Sequence, residues 1–227
     1  GAAAERAALL AKCDLVTNLV GEFPELQGIM GRYYALADGE SADVATAIAE
    51  HYQPRGASDG TPASKTGLAV ALADRFDTLT GIFAIGQKPS GTKDPFGLRR
   101  AAIGVLRLAI EQRLDLDLPA VIEAAVAAQP VKSATAAAEV LQYVQERLRA
   151  YYLEGGRGVG SAAPTVTSEQ LDAVLATAPR SPLDIDARLH ALAAFLARPE
   201  AASLAAANKR IANILKKSEG SAAGFLP

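Results

Sequence analysis

Residues 68–113 read LAVALADRFDTLTGIFAIGQKPSGTKDPFGLRRAAIGVLRLAIEQR, and this stretch decides the fold. In its first half Leu68, Leu72, Phe76, Leu79 and Phe83 recur every three or four residues, the period of one buried helical face. The polar loop GQKPSGTKD then interrupts the pattern. Asp94-Pro95 restarts it, because an Asp carboxylate can accept from the unpaired amides of a first helical turn and Pro fits where no donor is needed. From there to about Arg113 the spacing predicts a helix with Leu98, Ala102, Val105 and Ala109 on its apolar stripe. Arg99, Arg100, Arg107 and Arg113 fall on one arc of that helix, which is expected to be basic and exposed.

Working outward, the N-terminal side carries Leu9, Cys13, Val16 and Val20 at helical spacing, predicting one buried stripe that Gly21 and Pro24 end. Val44, Ile48 and Tyr52 predict a further helix, capped by Ser41 or Asp43 and stopped by Pro54 and Gly56. On the C-terminal side LDLDLP reads as a connector into a helix starting at Pro119. A boundary placed there divides the chain into residues 1–116 and 117–227. Ala137, Leu141, Val144, Leu148 and Tyr151 then form a seam suited to packing against another helix. GGRGVGSAAPT reads as a mobile loop, and Thr167 with Gln170 as a capping box. Further helices are predicted from Leu171 and Val174, from Ile185 through Leu196, and from Pro199 to about Lys217. No segment alternates as a strand, and abundant Ala with 5% aromatics and no Trp agrees with an all-α fold.

Composition narrows the partners. With 23 Lys plus Arg against 25 Asp plus Glu the formal charge is −2, so any surface for nucleic acid must be local. The single cysteine, Cys13, cannot close an intramolecular disulfide and is expected to pack in the core, which favours the reducing cytoplasm. No apolar run reaches the ~18 residues of a membrane span, so a soluble chain is expected. The start Gly1-Ala2-Ala3-Ala4, with Met30 the sole methionine, reads as an excised segment of a longer protein.

Four strings carry a resemblance: GEFPELQGIMGRYYALADGE (21–40), ALADRFDTLTGIFAIGQKPSGTKDPFGLRRAAIGVLR (71–107), APRSPLDIDARLHALAAFLARPEAASL (178–204) and AAANKRIANILKK (205–217). Spread between residues 21 and 217, they closely resemble the β subunit of bacterial glycyl-tRNA synthetases. The resemblance implies an α2β2 or fused enzyme in which the α subunit binds ATP and Mg and activates glycine. The β subunit would mainly recognise tRNA-Gly. Residues 1–116 then resemble the family's degenerate HD-type helical domain, and residues 117–227 the start of its helical anticodon-binding domain. That domain continues in the family past the KRIANILKK helix, so it is expected to be partial here.

The candidate sites follow from charge and spacing. In the last predicted helix Lys209, Arg210, Asn213, Lys216 and Lys217 share about one third of the helical circle, with Leu204, Ala207, Ile211, Ile214 and Leu215 opposite. The apolar face should pack on the body while the basic face meets either solvent or RNA phosphates, and the resemblance turns this reading toward tRNA. Arg99, Arg100 and Arg107 form the second candidate surface, with ion pairs between domains or subunits as the competing role. An active HD phosphohydrolase needs several His and Asp metal ligands. Here His51 and Asp74 stand only as possible relics of such a set, so catalysis and a bound metal are not expected. Gly86 and Gly91 have the spacing of a phosphate-binding loop, but Thr92 separates Gly91 from Lys93 and Asp94 follows, which reads as a capped helix start.

Overall fold

The computed structural model describes residues 1–89, 91, 93–154 and 165–222, with side chains up to residue 215. The Gly-rich stretch at 155–164, which its composition marks as a loop, lies outside the described residues. Eleven α-helices are present among them: α1 (Ala2–Leu10), α2 (Asn18–Glu22), α3 (Ile29–Ala37), α4 (Ala42–Glu50), α5 (Lys65–Ala84), α6 (Leu98–Glu111), α7 (Leu118–Ala128), α8 (Ala136–Leu153), α9 (Ser168–Leu175), α10 (Pro182–Leu196) and α11 (Ala201–Ala222). Short 3-10 turns occupy Cys13–Val16 and Pro24–Leu26. The fold is all-α, with no strand element among the described residues, and none of its helices is long and apolar enough to cross a membrane.

Helices α5 and α6 are the spine. The stripe of α5 buries Leu68, Phe76, Leu79 and Phe83, and that of α6 buries Leu98, Ala102, Val105 and Ala109. Because α6 packs against α5, α8 and α10, it is buried on more than one face. Asp94 caps it as expected, its carboxylate accepting from Leu98 N at 2.8 Å and Arg99 N at 2.9 Å. The helix itself begins three residues after Pro95, behind Gly97 at φ 66. Ser41 caps α4 by accepting from Val44 N, and Thr167 with Gln170 forms the complete capping box at α9.

The main apolar cluster runs without a break from Phe76 of α5 to Leu189 of α10. Leu118, Ile122, Val140, Val144 and Leu148 interleave there with Leu79, Leu98 and Leu106. Gln129, at the end of α7, adds a polar tie back to α5 by donating to Thr80 Oγ1 at 3.0 Å and Asp77 Oδ1 at 2.9 Å. Residues on both sides of 116/117 contribute to this cluster.

The N-terminal stripe is not formed. Leu9 is 71% and Val16 88% exposed, Cys13 is exposed rather than in the core, and only Val20 of the four is buried. The chain leaves α1 at Ala11 and enters the 3-10 turn, which aims Asp14 inward. One oxygen of that buried carboxylate accepts from Gly28 N at 2.6 Å and Gly31 N at 3.1 Å, fixing the entry to α3. Gly28 is required at this point: its φ is +78, and a Cβ would come within 2.6 Å of the Tyr52 ring. What α1 buries instead is its small residues, Ala7 and then Ala11, against Val44 and Ile48 of α4.

Candidate nucleic-acid interface

Helix α11 presents the polar face that its sequence specifies. Lys209, Arg210 and Asn213 are exposed, and neither cation forms an ion pair with a described residue. Lys216 and Lys217 continue the same helix, but their side chains lie outside the described residues. The opposite face departs from expectation. Leu204, Ile211, Ile214 and Leu215 are all 56–58% exposed rather than packed on the body. Ala201 is buried where α11 meets α10, and residues 202–215 beyond it are exposed. Both faces of α11 are thus presented outward: donors for an anionic backbone on one side and apolar surface on the other.

The arginine arc of α6 is divided. Arg107 is buried, which contradicts its placement on an exposed basic surface. Its guanidinium pairs with Glu111 at 2.7 Å and donates to the carbonyls of Gly56 at 2.8 Å and Asp59 at 2.7 Å. The loop after α4 needs donors for these inward carbonyls, and Arg107 supplies them, so it is a structural residue. Arg99 is half-buried and donates to the Gly91 carbonyl. Arg100 is exposed at the edge of a cleft beside Gly97. Arg113 is exposed at the end of α6 with φ 54. Spacing brought these four arginines onto one arc, and tertiary structure gives them separate surroundings.

His51 and Asp74 come into one neighbourhood without forming a ligand set. His51 is fully buried, its Nδ1 donating to Ile48 O at 2.7 Å. Burial, aided by the Lys12 charge, pushes its pKa down to about 4, so the imidazole is neutral at neutral pH. Asp74 pairs with Lys12 at 3.0 Å, and the Lys12 ammonium also sits 4.4 Å from the centre of the Tyr52 ring. Among the described residues no group of three His, Cys, Asp or Glu side chains gathers as a metal site.

Arg75 is the polar residue beneath this region that spacing did not single out. It donates to the carbonyls of His51, Ala71, Tyr52, Gln53 and Pro54 at 2.8–3.2 Å, and burial lowers its pKa to about 10. A signal was available: Arg75 lies seven residues after Leu68, on the apolar stripe of α5. An arginine there must bring its own acceptors.

Comparison with known proteins adds a family and relatives. The family model described as glycyl-tRNA synthetase beta subunit matches residues 1–163. The glycine–tRNA ligase beta subunit of Ectopseudomonas mendocina (strain ymp) is 54% identical over 224 residues, 98% of this chain. That of Pseudomonas aeruginosa (strain LESB58) is 54% identical over 218 residues, 95% of the chain. That of Pseudomonas fluorescens (strain Pf0-1) is 53% identical over 220 residues, 96% of the chain. In each case the match spans 31% of the relative's own length.

Proposed function

The chain belongs to the glycyl-tRNA synthetase β-subunit family, and from that premise we propose that it is a non-catalytic segment serving tRNA-Gly recognition and subunit assembly during glycylation. Its macromolecular partners are then tRNA-Gly and the α subunit, in an α2β2 enzyme whose ATP, Mg and glycine chemistry belongs to α. The observation that carries the RNA reading is the exposed row of Lys209, Arg210 and Asn213 on α11, extended along the same helix by Lys216 and Lys217. Such donors suit phosphate oxygens, which give affinity without dictating sequence. Arg99 and Arg100 at the start of α6 are a second contact region; Arg107 is withdrawn from it because it is buried.

The exposed apolar face of α11 supports the assembly part of the reading, since a row of Leu and Ile left in water is characteristic of a surface that another element covers. A metal-dependent phosphohydrolase is disfavoured by the complete burial of His51 and by the Lys12 pairing that occupies Asp74. The test is filter binding of the chain to tRNA-Gly and to an unrelated tRNA in parallel, at low and at moderate salt. Saturable binding of tRNA-Gly that weakens with salt is expected, and no binding at either salt would leave a scaffold without an RNA role. Alone, the chain should give no glycine-dependent pyrophosphate exchange.

A further inference from the structure

We propose that the cleft between the turn after α4 and the start of α6 binds a nucleotide, with its phosphate on Arg55 and Arg100 and its base against Phe96. The cleft encloses about 460 Å³, and its walls include Gln27, Arg55, Asp74, Arg75, Phe96 and Arg100. That size lies within the range of about 300–1,000 Å³ usual for small-molecule sites. The inference refines the part given to Arg100 above and does not rest on α11.

The charge balance favours an anion. Arg100 is exposed and makes no ion pair with a described residue. Arg55 is exposed, donates from Nη2 to the Gln27 carbonyl at 3.1 Å, and retains further N–H groups for a ligand. Its backbone N–H meets the Asp59 carboxylate at 2.8 Å, so that acid is engaged by the main chain. Asp74, the carboxylate in the wall, is held by Lys12 at 3.0 Å. Arg75 spends its donors on five carbonyls and adds positive potential at the base without competing for the ligand. Three guanidinium groups therefore line the cleft against one carboxylate, and that carboxylate is paired with Lys12.

The remaining groups favour a nucleotide over a bare phosphate. Phe96 is 43% exposed, an apolar ring left in solvent four residues before the guanidinium of Arg100. A base stacked on it would cover that ring, and sequence-tolerant stacking next to arginine is the usual way a single unpaired nucleotide is held. Gln27 and Thr78 in the wall offer hydrogen-bonding groups to a base edge or ribose. The nucleotide can come from a single-stranded RNA segment or be free in solution; the chemistry at the cleft is the same.

Titration of the 227-residue chain with 5′-AMP, inorganic phosphate and pentaadenylate, followed by amide NMR shifts, tests this. AMP should bind saturably, and in the wild-type chain its shifts should centre on Gln27, Thr78, Phe96 and Arg100. Arg100→Ala should weaken AMP and phosphate alike by about tenfold, as expected for removal of one charge-assisted hydrogen bond. Phe96→Ala should weaken AMP while leaving phosphate unchanged, a split that a general basic surface would not produce. Pentaadenylate tighter than AMP identifies an RNA strand as the source, and AMP tighter than pentaadenylate a free nucleotide. The proposal is overturned if AMP fails to saturate by ~10 mM. It is equally overturned if the wild-type shifts fall elsewhere, or if both folded variants bind AMP as the wild type does.

Discussion

His51, Arg75 and Arg107 are buried beside the segment that follows α4, and the two arginines hold it through hydrogen bonds to its carbonyls. Arg75 gathers the carbonyls of residues 51–54 and Arg107 those of Gly56 and Asp59, so a loop with inward-facing carbonyls is tied to both spine helices. His51 sits beneath it, neutral, with a folded pKa of about 4 against an ordinary 6.5. The unfolded chain therefore takes up a proton first as pH falls. Stability from this residue is complete above about pH 6.5 and is lost progressively toward pH 4. Between pH 7 and pH 5 the decrease should be about 2 kcal/mol, read from urea denaturation midpoints. His51→Gln, which can still donate to the Ile48 carbonyl but does not titrate, should remove most of that dependence; an unchanged slope would mean that His51 is not buried neutral. Of these three roles the sequence carried a trace of one. Arg75 falls on the apolar stripe of α5, whereas Arg107 shares the period of exposed arginines and is drawn in by a loop some fifty residues earlier, an interaction that local spacing does not encode.

Among the helices, burial separates α10 from α11 more sharply than their sequences do. Ile185 and Leu189 of α10 are in the core, while Leu204, Ile211, Ile214 and Leu215 of α11, at equally good helical spacing, are exposed. Leu189→Ala should accordingly cost roughly 2–5 kcal/mol. The double variant Ile211→Ser/Ile214→Ser should change stability by no more than about 0.5 kcal/mol per site. Denaturation of the two variants side by side checks both, and a large destabilisation of the α11 variant would mean that its apolar face is covered. Period reveals that a helix has an apolar face, not whether a partner lies against it. For α5, α6, α8 and α9 the face and the partner are both in this chain, and the Asp94 cap, the Thr167–Gln170 capping box and most of the stripes were legible; in α8 Val144, Leu148 and Tyr151 are buried as read, but Ala136 and Val140 are buried where the spacing pointed to Ala137 and Leu141. For α1 the spacing of Leu9, Cys13, Val16 and Val20 was misleading, because the helix stops at Leu10 and the buried Asp14 carboxylate redirects the chain toward Gly28 and Gly31. Helix α3, short and flanked by glycine, was covered only by the family resemblance.

At the scale of the molecule, the cluster from Phe76 to Leu189 joins the two halves that the LDLDLP connector suggested. A connector with two Asp and a Pro resembles a linker, yet Leu118 within it is buried and its N–H donates to Arg180 O at 3.0 Å. Residues 2–196 should therefore unfold in one transition, with helicity and tyrosine fluorescence coincident, since Tyr34 and Tyr52 report on one side of the connector and Tyr143 and Tyr151 on the other. Two separated midpoints would argue for independent domains. The proposed RNA surface is the least legible feature, because a basic helical face looks the same whether it meets water or phosphate. The decisive measurement is the salt dependence of tRNA-Gly binding by the chain and its Lys209→Ala/Arg210→Ala variant, with helicity matched by circular dichroism. If α11 meets RNA phosphates, the variant binds more weakly and the slope of log affinity against log salt falls by roughly 0.7–0.9 for each phosphate that is no longer neutralised. A folded variant with unchanged affinity and unchanged slope would contradict the assignment and leave α11 a solvated helix.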